Sequence, residues 1–238
     1  MATISENIQQ LRARMALACE QASRPVHSVT LLVVTKTFPA EDVRAAFEAG
    51  ETRFGENYVQ EGVDKIAALA DLRSQVQWHM IGPLQSNKTR VVAEQFDWVH
   101  SVDRLKIAQR LSDQRPEHLP PLQICLQVNI SGEASKSGLT PAEVPDVARA
   151  VVALPRLHLR GLMAIPEPAQ TLEERRQPHR ALAGLMQQLQ AEGLALDTLS
   201  MGMSADLEAA IQEGSTMVRV GSAIFGQRQR PAAALPQV

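Results

Sequence analysis

The chain has 238 residues, of which 45% are hydrophobic and 21% charged, and its formal net charge is −2. These values are typical of a globular protein with a sizeable core, and they argue against a general affinity for nucleic acid or for an anionic membrane. With no apolar run near the roughly 20 residues of a membrane span, no secretory-type N-terminus and only two cysteines, Cys19 and Cys125, we expect a cytoplasmic protein without a disulfide framework or a metal site.

The N-terminus predicts a helix that stands outside the pattern of the rest of the chain. Thr3 and Glu6 have the spacing of a capping box. The apolar residues that follow recur on one helical face, and they are Ile4, Ile8, Leu11, Met15 and Cys19.

After Pro25, short apolar runs alternate with amphipathic stretches. The predicted strands are 29–35, 52–54, 76–80, 97–100, 122–129, 157–163, 195–200 and 216–220. The predicted helices between them are 39–49, 58–70, 87–95, 103–113, 141–153, 171–192 and 204–213, the last with Ser204 as its N-cap.

This alternation predicts an α/β protein, namely a (β/α)8 TIM barrel with the extra N-terminal helix. An open doubly wound sheet is the alternative, but no Gly-x-Gly-x-x-Gly motif follows the first strand. We expect a single domain over residues 1–238, with 226–238 as a flexible tail. In a barrel, the chemistry belongs at the carboxyl ends of the strands.

Lys36 directly follows the first predicted strand. An amine at the end of a buried strand loses hydration, which lowers its pKa and frees its lone pair to attack a carbonyl. Lys36 is therefore a candidate Schiff-base lysine, and a solvated lysine at a strand end is the alternative.

The last quarter of the chain predicts an anion site. A strand ends at Ser200 and Met201, and Gly202 and Ser204 lead into the next helix. A second turn of small residues, Gly221-Ser222-Ala223, follows the eighth strand. Turns of this kind suit a phosphate, because glycine permits close approach and a helix N-terminus offers unpaired N–H groups. Two ordinary tight turns are the alternative.

Arg219 lies within an apolar strand, on the opposite face from Val218 and Val220. A guanidinium inside a barrel needs a partner, which is either a ligand or a structural carboxylate. A reactive lysine, a phosphate cradle and an inward arginine together suggest a phosphorylated aldehyde such as pyridoxal 5'-phosphate (PLP). A phosphosugar bound by a class I aldolase would use similar groups.

Several segments, taken together, resemble a known family. They are Val33-Val34-Thr35-Lys36, the stretch from Phe54 to Glu61, the stretch from Trp78 to Lys88, His100-Ser101-Val102-Asp103, the stretch from Val128 to Glu133, Ser135-Lys136-Ser137-Gly138, Gly161-Leu162-Met163-Ala164-Ile165, and Leu199 through Gly226. They span nearly the whole chain. The sequence resembles the pyridoxal-phosphate homeostasis protein family, whose PLP-binding barrels are related to the N-terminal domain of alanine racemase.

The resemblance implies a barrel with PLP linked to Lys36, with phosphate contacts from serines and with Arg219 facing the pyridine nitrogen. The expected cofactor-binding residues are Lys36, Asn57, His79, Ser200, Met201, Ser204, Arg219, Gly221 and Ser222. Ser222 stands where threonine is also common in the family, and this difference keeps the hydroxyl.

The expected role is to hold PLP and deliver it to PLP-dependent apoenzymes, as a monomer and without enzymatic turnover. A cation beside the pyridine nitrogen disfavours its protonation. Racemisation also needs a second acid/base group, which the related racemases take from an additional domain and a partner subunit. A small racemase or lyase is the alternative, with Tyr58, His79 or a water molecule as the second base.

Two further lysines, Lys88 and Lys136, lie in polar loops. A solvated loop lysine is the expectation for both. The alternative is reversible secondary capture of PLP or docking of an acceptor apoenzyme.

Overall fold

Eight parallel strands close into a barrel in which each strand neighbours the next in sequence and β8 pairs with β1. A computed structural model describes residues 2–132 and 137–226. The strands are β1 Thr30–Val34, β2 Arg53–Glu56, β3 Gln77–Met80, β4 Trp98–Val102, β5 Leu122–Gln127, β6 Leu157–Met163, β7 Thr198–Ser200 and β8 Met217–Val220. The predicted barrel is confirmed, and each strand overlaps its predicted position.

Helices surround the barrel. They are α1 Ile4–Gln21, α2 Ala40–Glu48, α3 Val59–Ala68, α4 Thr89–Gln95, α5 Leu105–Gln114, α6 Val144–Val152, α7 Leu172–Ala191, α8 Leu207–Gln212 and α9 Ser222–Phe225. Within the two described ranges, no helix combines the length and the apolar character that crossing a membrane requires.

The predicted extra helix is present as α1. Its capping box forms, because the Thr3 side chain accepts from the Glu6 N–H and the Glu6 carboxylate accepts from the Thr3 N–H. Its apolar face is buried and packs against α8 and α9. The side-chain amide of Asn7 donates to the carbonyl of Ile224 in α9 at 2.7 Å. The N-terminal helix therefore braces the last elements of the fold.

The strand faces alternate between the helix layer and the barrel interior. On β1, Leu31 and Val33 pack into the large core between strands and helices, whereas Leu32 and Val34 belong to a small inner cluster with Ile81 and Met217. The register pairs Leu32 with Arg219 on β8, so both lie on the inner face. The interior is thus partly apolar and partly polar.

The predicted start of α8 is wrong. Ser204 does not cap this helix: α8 begins at Leu207, and its N-cap is Asp206. The Asp206 carboxylate accepts a hydrogen bond from the Met203 N–H at 2.7 Å. This contact closes a turn before the helix begins, and it leaves the Ser204 hydroxyl outside the capping position.

Two glycines give a direct test of the barrel. A Cβ at Gly161 on β6 would lie 1.8 Å from the carbonyl oxygen of Thr198 on the paired strand β7, whereas a Cβ at Gly184 in α7 would meet nothing within 4 Å. We expect Gly161→Ala to lower the free energy of unfolding by about 2 kcal/mol or more, because backbone must move. Gly184→Ala, the matched control, should raise it by about 0.5–1 kcal/mol.

Urea unfolding at neutral pH measures both changes. If Gly161→Ala unfolds at the same urea concentration as the parent chain, the described β6–β7 pairing is incorrect.

Candidate functional site

A pocket opens at the carboxyl ends of the strands and contains six of the nine residues expected from the sequence. Its lining is Val34, Lys36, Phe38, Asn57, Ile81, Ile165, Met203, Ser204, Arg219, Gly221 and Ser222. A larger surface cavity lies at the opposite end of β6, around Leu157 and Leu194, and none of the nine residues lines it. The chemistry of the lining, rather than the cavity's size, therefore singles out the first pocket.

Lys36 is half-buried in the tight turn that follows β1. The N–H of Phe38 donates to the carbonyl of Thr35 at 3.1 Å and closes this turn. Val34, the last residue of β1, and Phe38 both line the pocket with Lys36. The strand thus presents a primary amine beside an apolar wall.

The two serine turns converge in the same pocket as Lys36. The hydroxyls of Ser204 and Ser222 lie 3.2 Å apart, although they come from the segments after β7 and β8. Gly221 allows the second turn to lie against the end of β1, since a Cβ there would lie 2.6 Å from the carbonyl oxygen of Val34. The pair of hydroxyls suits the oxygen atoms of a phosphate.

Arg219 is buried, and its guanidinium is held by neutral oxygen atoms. One nitrogen donates to the carbonyl and to the hydroxyl of Ser200, the latter at 2.8 Å, and the other donates to the carbonyl of Ala164 at 2.9 Å. In the described part of the chain, no carboxylate forms an ion pair with Arg219. The alternative of a structural ion pair is therefore not found.

Burial lowers the pKa of Arg219 to about 10, against the opposing influence of Asp206 and Cys125. The guanidinium still carries its charge at neutral pH. The pocket thus combines an amine, two hydroxyls and a guanidinium that forms no ion pair within the described residues, which suits a small anionic molecule with a carbonyl group.

Ser200 and His79 lie beneath the pocket rather than in its lining, in a chain of polar side chains across the barrel interior. The Ser200 hydroxyl lies 2.8 Å from Nδ1 of His100. Nε2 of His100 lies 2.9 Å from Nδ1 of His79. The His79 ring stacks on Trp98 at 5.1 Å between centroids. Arg219 is thereby connected through Ser200 to two buried histidines.

Both histidines are neutral. Burial, with Arg219 nearby, lowers the pKa of His100 to about 3. Burial, with smaller contributions from His100 and Arg53, holds the pKa of His79 well below its usual range. Since Arg219 can only donate, the arrangement favours one direction: Ser200 accepts from Arg219 and donates to His100, and His100 donates to His79.

Met201 is placed away from the pocket. Its side chain is fully buried in the core between strands and helices. Its N–H donates to the carbonyl of Met217 at 3.1 Å, and its carbonyl accepts from the Ser215 hydroxyl at 2.7 Å. Both backbone groups are thus engaged in joining β7 to β8.

The structure adds residues to which the sequence assigned no role. His100 lies in the motif His100-Ser101-Val102-Asp103, which has no function assigned from the sequence. Trp98 lies two residues before His100 on β4, so alternation alone puts both side chains on one face. The apolar walls formed by Phe38, Ile81, Ile165 and Met203 carried no sequence signal.

Lys88 is exposed at the end of a short 3₁₀ turn, Ser86–Lys88, and Lys136 lies outside the described residues.

The buried histidines predict a pH dependence of stability. A histidine whose pKa is lower in the folded chain than its ordinary 6.5 stabilises the fold fully above that value. Its contribution is lost as the pH falls below about 6.5, because the unfolded chain then binds more protons. We expect the free energy of unfolding to fall between pH 6.5 and pH 5 by up to about 1.4 kcal/mol per pH unit for each histidine.

His100→Asn keeps a polar atom near Ser200 and removes one titrating group, so it should reduce this slope by the share of one histidine. Urea unfolding of both chains at pH 7, 6 and 5 measures the difference. Equal slopes in the two chains would contradict the assignment of a neutral buried His100.

Comparison with known proteins places this geometry in a family. The model of the alanine racemase N-terminal domain matches residues 2–229. A pyridoxal phosphate homeostasis protein of Pseudomonas aeruginosa is 59% identical over 98% of this chain and 100% of its own length. The protein of the same name in Escherichia coli K12 is 52% identical over 96% of this chain and 98% of its own length.

Among solved structures, PipY of Synechococcus elongatus PCC7942 with PLP bound superimposes with a TM-score of 0.82 at 37% identity, and covers 94% of this chain and 100% of its own. The family model, which matches residues 2–229, includes all eight strands of the barrel. This chain therefore belongs to the pyridoxal phosphate homeostasis protein family, within the wider family of the alanine racemase N-terminal domain.

Proposed function

We propose that this protein binds PLP through Lys36 and serves to hold and deliver the cofactor rather than to turn over a substrate. The observation that carries the proposal is the buried guanidinium of Arg219, which has no carboxylate partner in the described residues and lines the same pocket as Lys36, Ser204 and Ser222. The relatives named for PLP homeostasis and the PLP-bound structure of PipY support the same cofactor.

The donor set fits PLP. The paired hydroxyls of Ser204 and Ser222, with the Gly221 turn, would hold the phosphate, and Asn57 and Arg219 would contact the ring. When bound, PLP supplies an aldehyde that condenses reversibly with a primary amine. Lys36 supplies that amine.

Arg219 is the group that would face the pyridine nitrogen of PLP. A guanidinium donates hydrogen bonds and accepts none. Unlike a carboxylate, it therefore does not hold a proton on that nitrogen. Ser200 and Ala164 fix its position with three hydrogen bonds. The residue thus orients the ring and gives little support to carbanion chemistry.

The pocket lining argues against turnover. Among its described residues, the titratable side chains are Lys36 and Arg219. His79 is buried beneath the pocket with a strongly lowered pKa, and Tyr58 is 59% exposed outside the lining. A second group able to exchange a proton with a bound amino acid is therefore not supplied by these residues.

Holding a reactive aldehyde as an exchangeable adduct protects other amines and keeps the cofactor available. We propose that PLP-dependent apoenzymes are the recipients, and that the protein acts in the cytoplasm as a monomer. Asn57, Ser204, Arg219, Gly221 and Ser222 are the proposed cofactor contacts beside Lys36.

Covalent capture at Lys36 is tested by borohydride reduction after incubation with PLP, followed by peptide mass mapping. We expect a phosphopyridoxyl adduct on Lys36 in the parent chain and its loss in Lys36→Ala, because Lys36 is the one lysine among the described residues that line the pocket. Lys88→Ala, which removes an exposed lysine, is the control and should label as the parent does.

An unmodified Lys36 in the PLP-treated parent chain would overturn the proposal. Trapping of a sugar phosphate on Lys36, with no adduct from PLP, would instead support a class I aldolase.

The absence of turnover is tested by incubating the PLP-loaded protein with single L-amino acids and following chirality and products by chromatography. We expect no rate above that of PLP mixed with Lys36→Ala, because the described residues of the pocket lining include no second acid/base group. Conversion at an ordinary enzymatic rate, on the order of 1–10³ per second, would establish a small racemase or lyase and refute the carrier role.

A further inference from the structure

A buried cluster of charged side chains lies directly behind the turn that carries Lys36. The ammonium of Lys65 donates to the carboxylates of Glu56 at 2.8 Å and Glu61 at 2.6 Å. The side chains of Lys65 and Glu56 are 7% and 0% exposed, and that of Glu61 is 27% exposed. Lys65 and Glu61 come from α3, and Glu56 is the last residue of β2.

The cluster contacts the peptide group on each side of Lys36. Lys65 donates to the carbonyl of Thr35, which precedes Lys36, at 2.6 Å. The Glu61 carboxylate accepts from the N–H of Thr37, which follows Lys36, at 2.5 Å. Helix α3 therefore holds the main chain of Lys36 from both ends through one ion pair.

The turn that the cluster holds is unfavourable by itself. Thr37 has a φ of +69°, in the left-handed region that β-branched residues avoid. This is the third position of the turn closed by Phe38 and Thr35, where glycine is the usual residue when φ is positive. Such a conformation persists only where surrounding contacts over-determine it, and the two contacts from α3 do so.

Stability alone does not account for the cluster. Ion pairs taken out of water seldom stabilise a fold more than apolar residues of similar size would. One carboxylate oxygen of Glu56 is also buried without a hydrogen-bond partner in the described chain. Burial raises the pKa of Glu56, against the opposing effects of Lys65 and Thr35. The charges instead meet main-chain atoms next to the candidate reactive lysine.

We propose that Lys65 and Glu61 are positioning residues: they fix the strained turn so that the Lys36 amine is held towards the pocket before any aldehyde arrives. This inference rests on the proposed function in taking Lys36 as the reacting amine. It assigns to α3 a role in the reactivity of Lys36, although neither Lys65 nor Glu61 lines the pocket.

The first test uses the protein without cofactor. Glu61→Ala removes the acceptor for the Thr37 N–H, and we expect hydrogen exchange at that amide, followed by NMR, to become at least tenfold faster. Asp64→Ala is the matched control, because Asp64 lies on the same helix and its carboxylate accepts from Gln60 rather than from the turn. Equal Thr37 exchange rates in the two variants would overturn the contact.

Glu61→Gln keeps an oxygen acceptor and loses the charge opposite Lys65, so its exchange rate should lie between those of the parent and Glu61→Ala. Lys65 itself is left intact, because its removal would strand two carboxylates and endanger folding. Thermal unfolding of Glu61→Ala and Asp64→Ala identifies any general loss of stability.

The second test measures the rate at which each chain captures PLP, from the change in absorbance after rapid mixing. We expect Glu61→Ala to react about tenfold more slowly than Asp64→Ala and still to carry its reduced adduct on Lys36. Unchanged capture despite faster Thr37 exchange would refute the positioning role. If the parent chain gives no Lys36 adduct, the proposed function fails, and the exchange measurement still decides whether the turn is held.

Discussion

A guanidinium inside a closed barrel must replace its lost hydration with fixed oxygen atoms, and Arg219 finds them at the ends of two neighbouring strands. The carbonyl of Ala164 follows β6, and the carbonyl and hydroxyl of Ser200 close β7. Because these oxygens are neutral, the positive charge is stabilised without being cancelled. The charge then acts on both sides: it faces the pocket above, and it adds to the effect of burial in lowering the pKa of His100, which lies below.

The pocket therefore has a floor and a wall of different construction. Its floor is a continuous path of hydrogen bonds from Arg219 through Ser200 to His100. This path fixes the direction in which each group donates, and it contains no charge that moves between groups. Its wall is the turn of Lys36. The ion pair of Lys65 and Glu61 lies behind this turn and forms hydrogen bonds with its main chain. Positive groups in the pocket are thus placed by contacts that lie outside it.

Much of this could be read from the sequence, because it is local. The alternation of side chains along β8 is enough to predict that Arg219 points inward. The small residues after the last two strands are enough to predict the serine turns. The predicted start of α8 is wrong because Ser204 and Asp206 are both good caps, and the contact of Asp206 with His179 on α7 cannot be read from the local sequence. Cofactor contacts remain predictions for all nine residues.

What could not be read depends on pairs that are far apart in the chain. His79, His100 and Ser200 meet only once the barrel has closed, and single-strand patterns do not report which inward residues touch. Likewise, the run Thr35-Lys36-Thr37 does not predict a positive φ at Thr37. The contact that holds this conformation comes from Glu61 on α3. Local patterns specify where side chains point, and barrel closure specifies which of them meet.

The pairing of β8 with β1, braced by α1 against α9, has a consequence for the order of events during translation. Lys36 is made early and emerges from the ribosome long before Arg219 and Ser222, which complete its surroundings. Contacts of such long sequence separation form late. A nascent chain therefore carries Lys36 as an ordinary lysine, and the pocket around it forms only when synthesis has delivered the final strand and the barrel has closed.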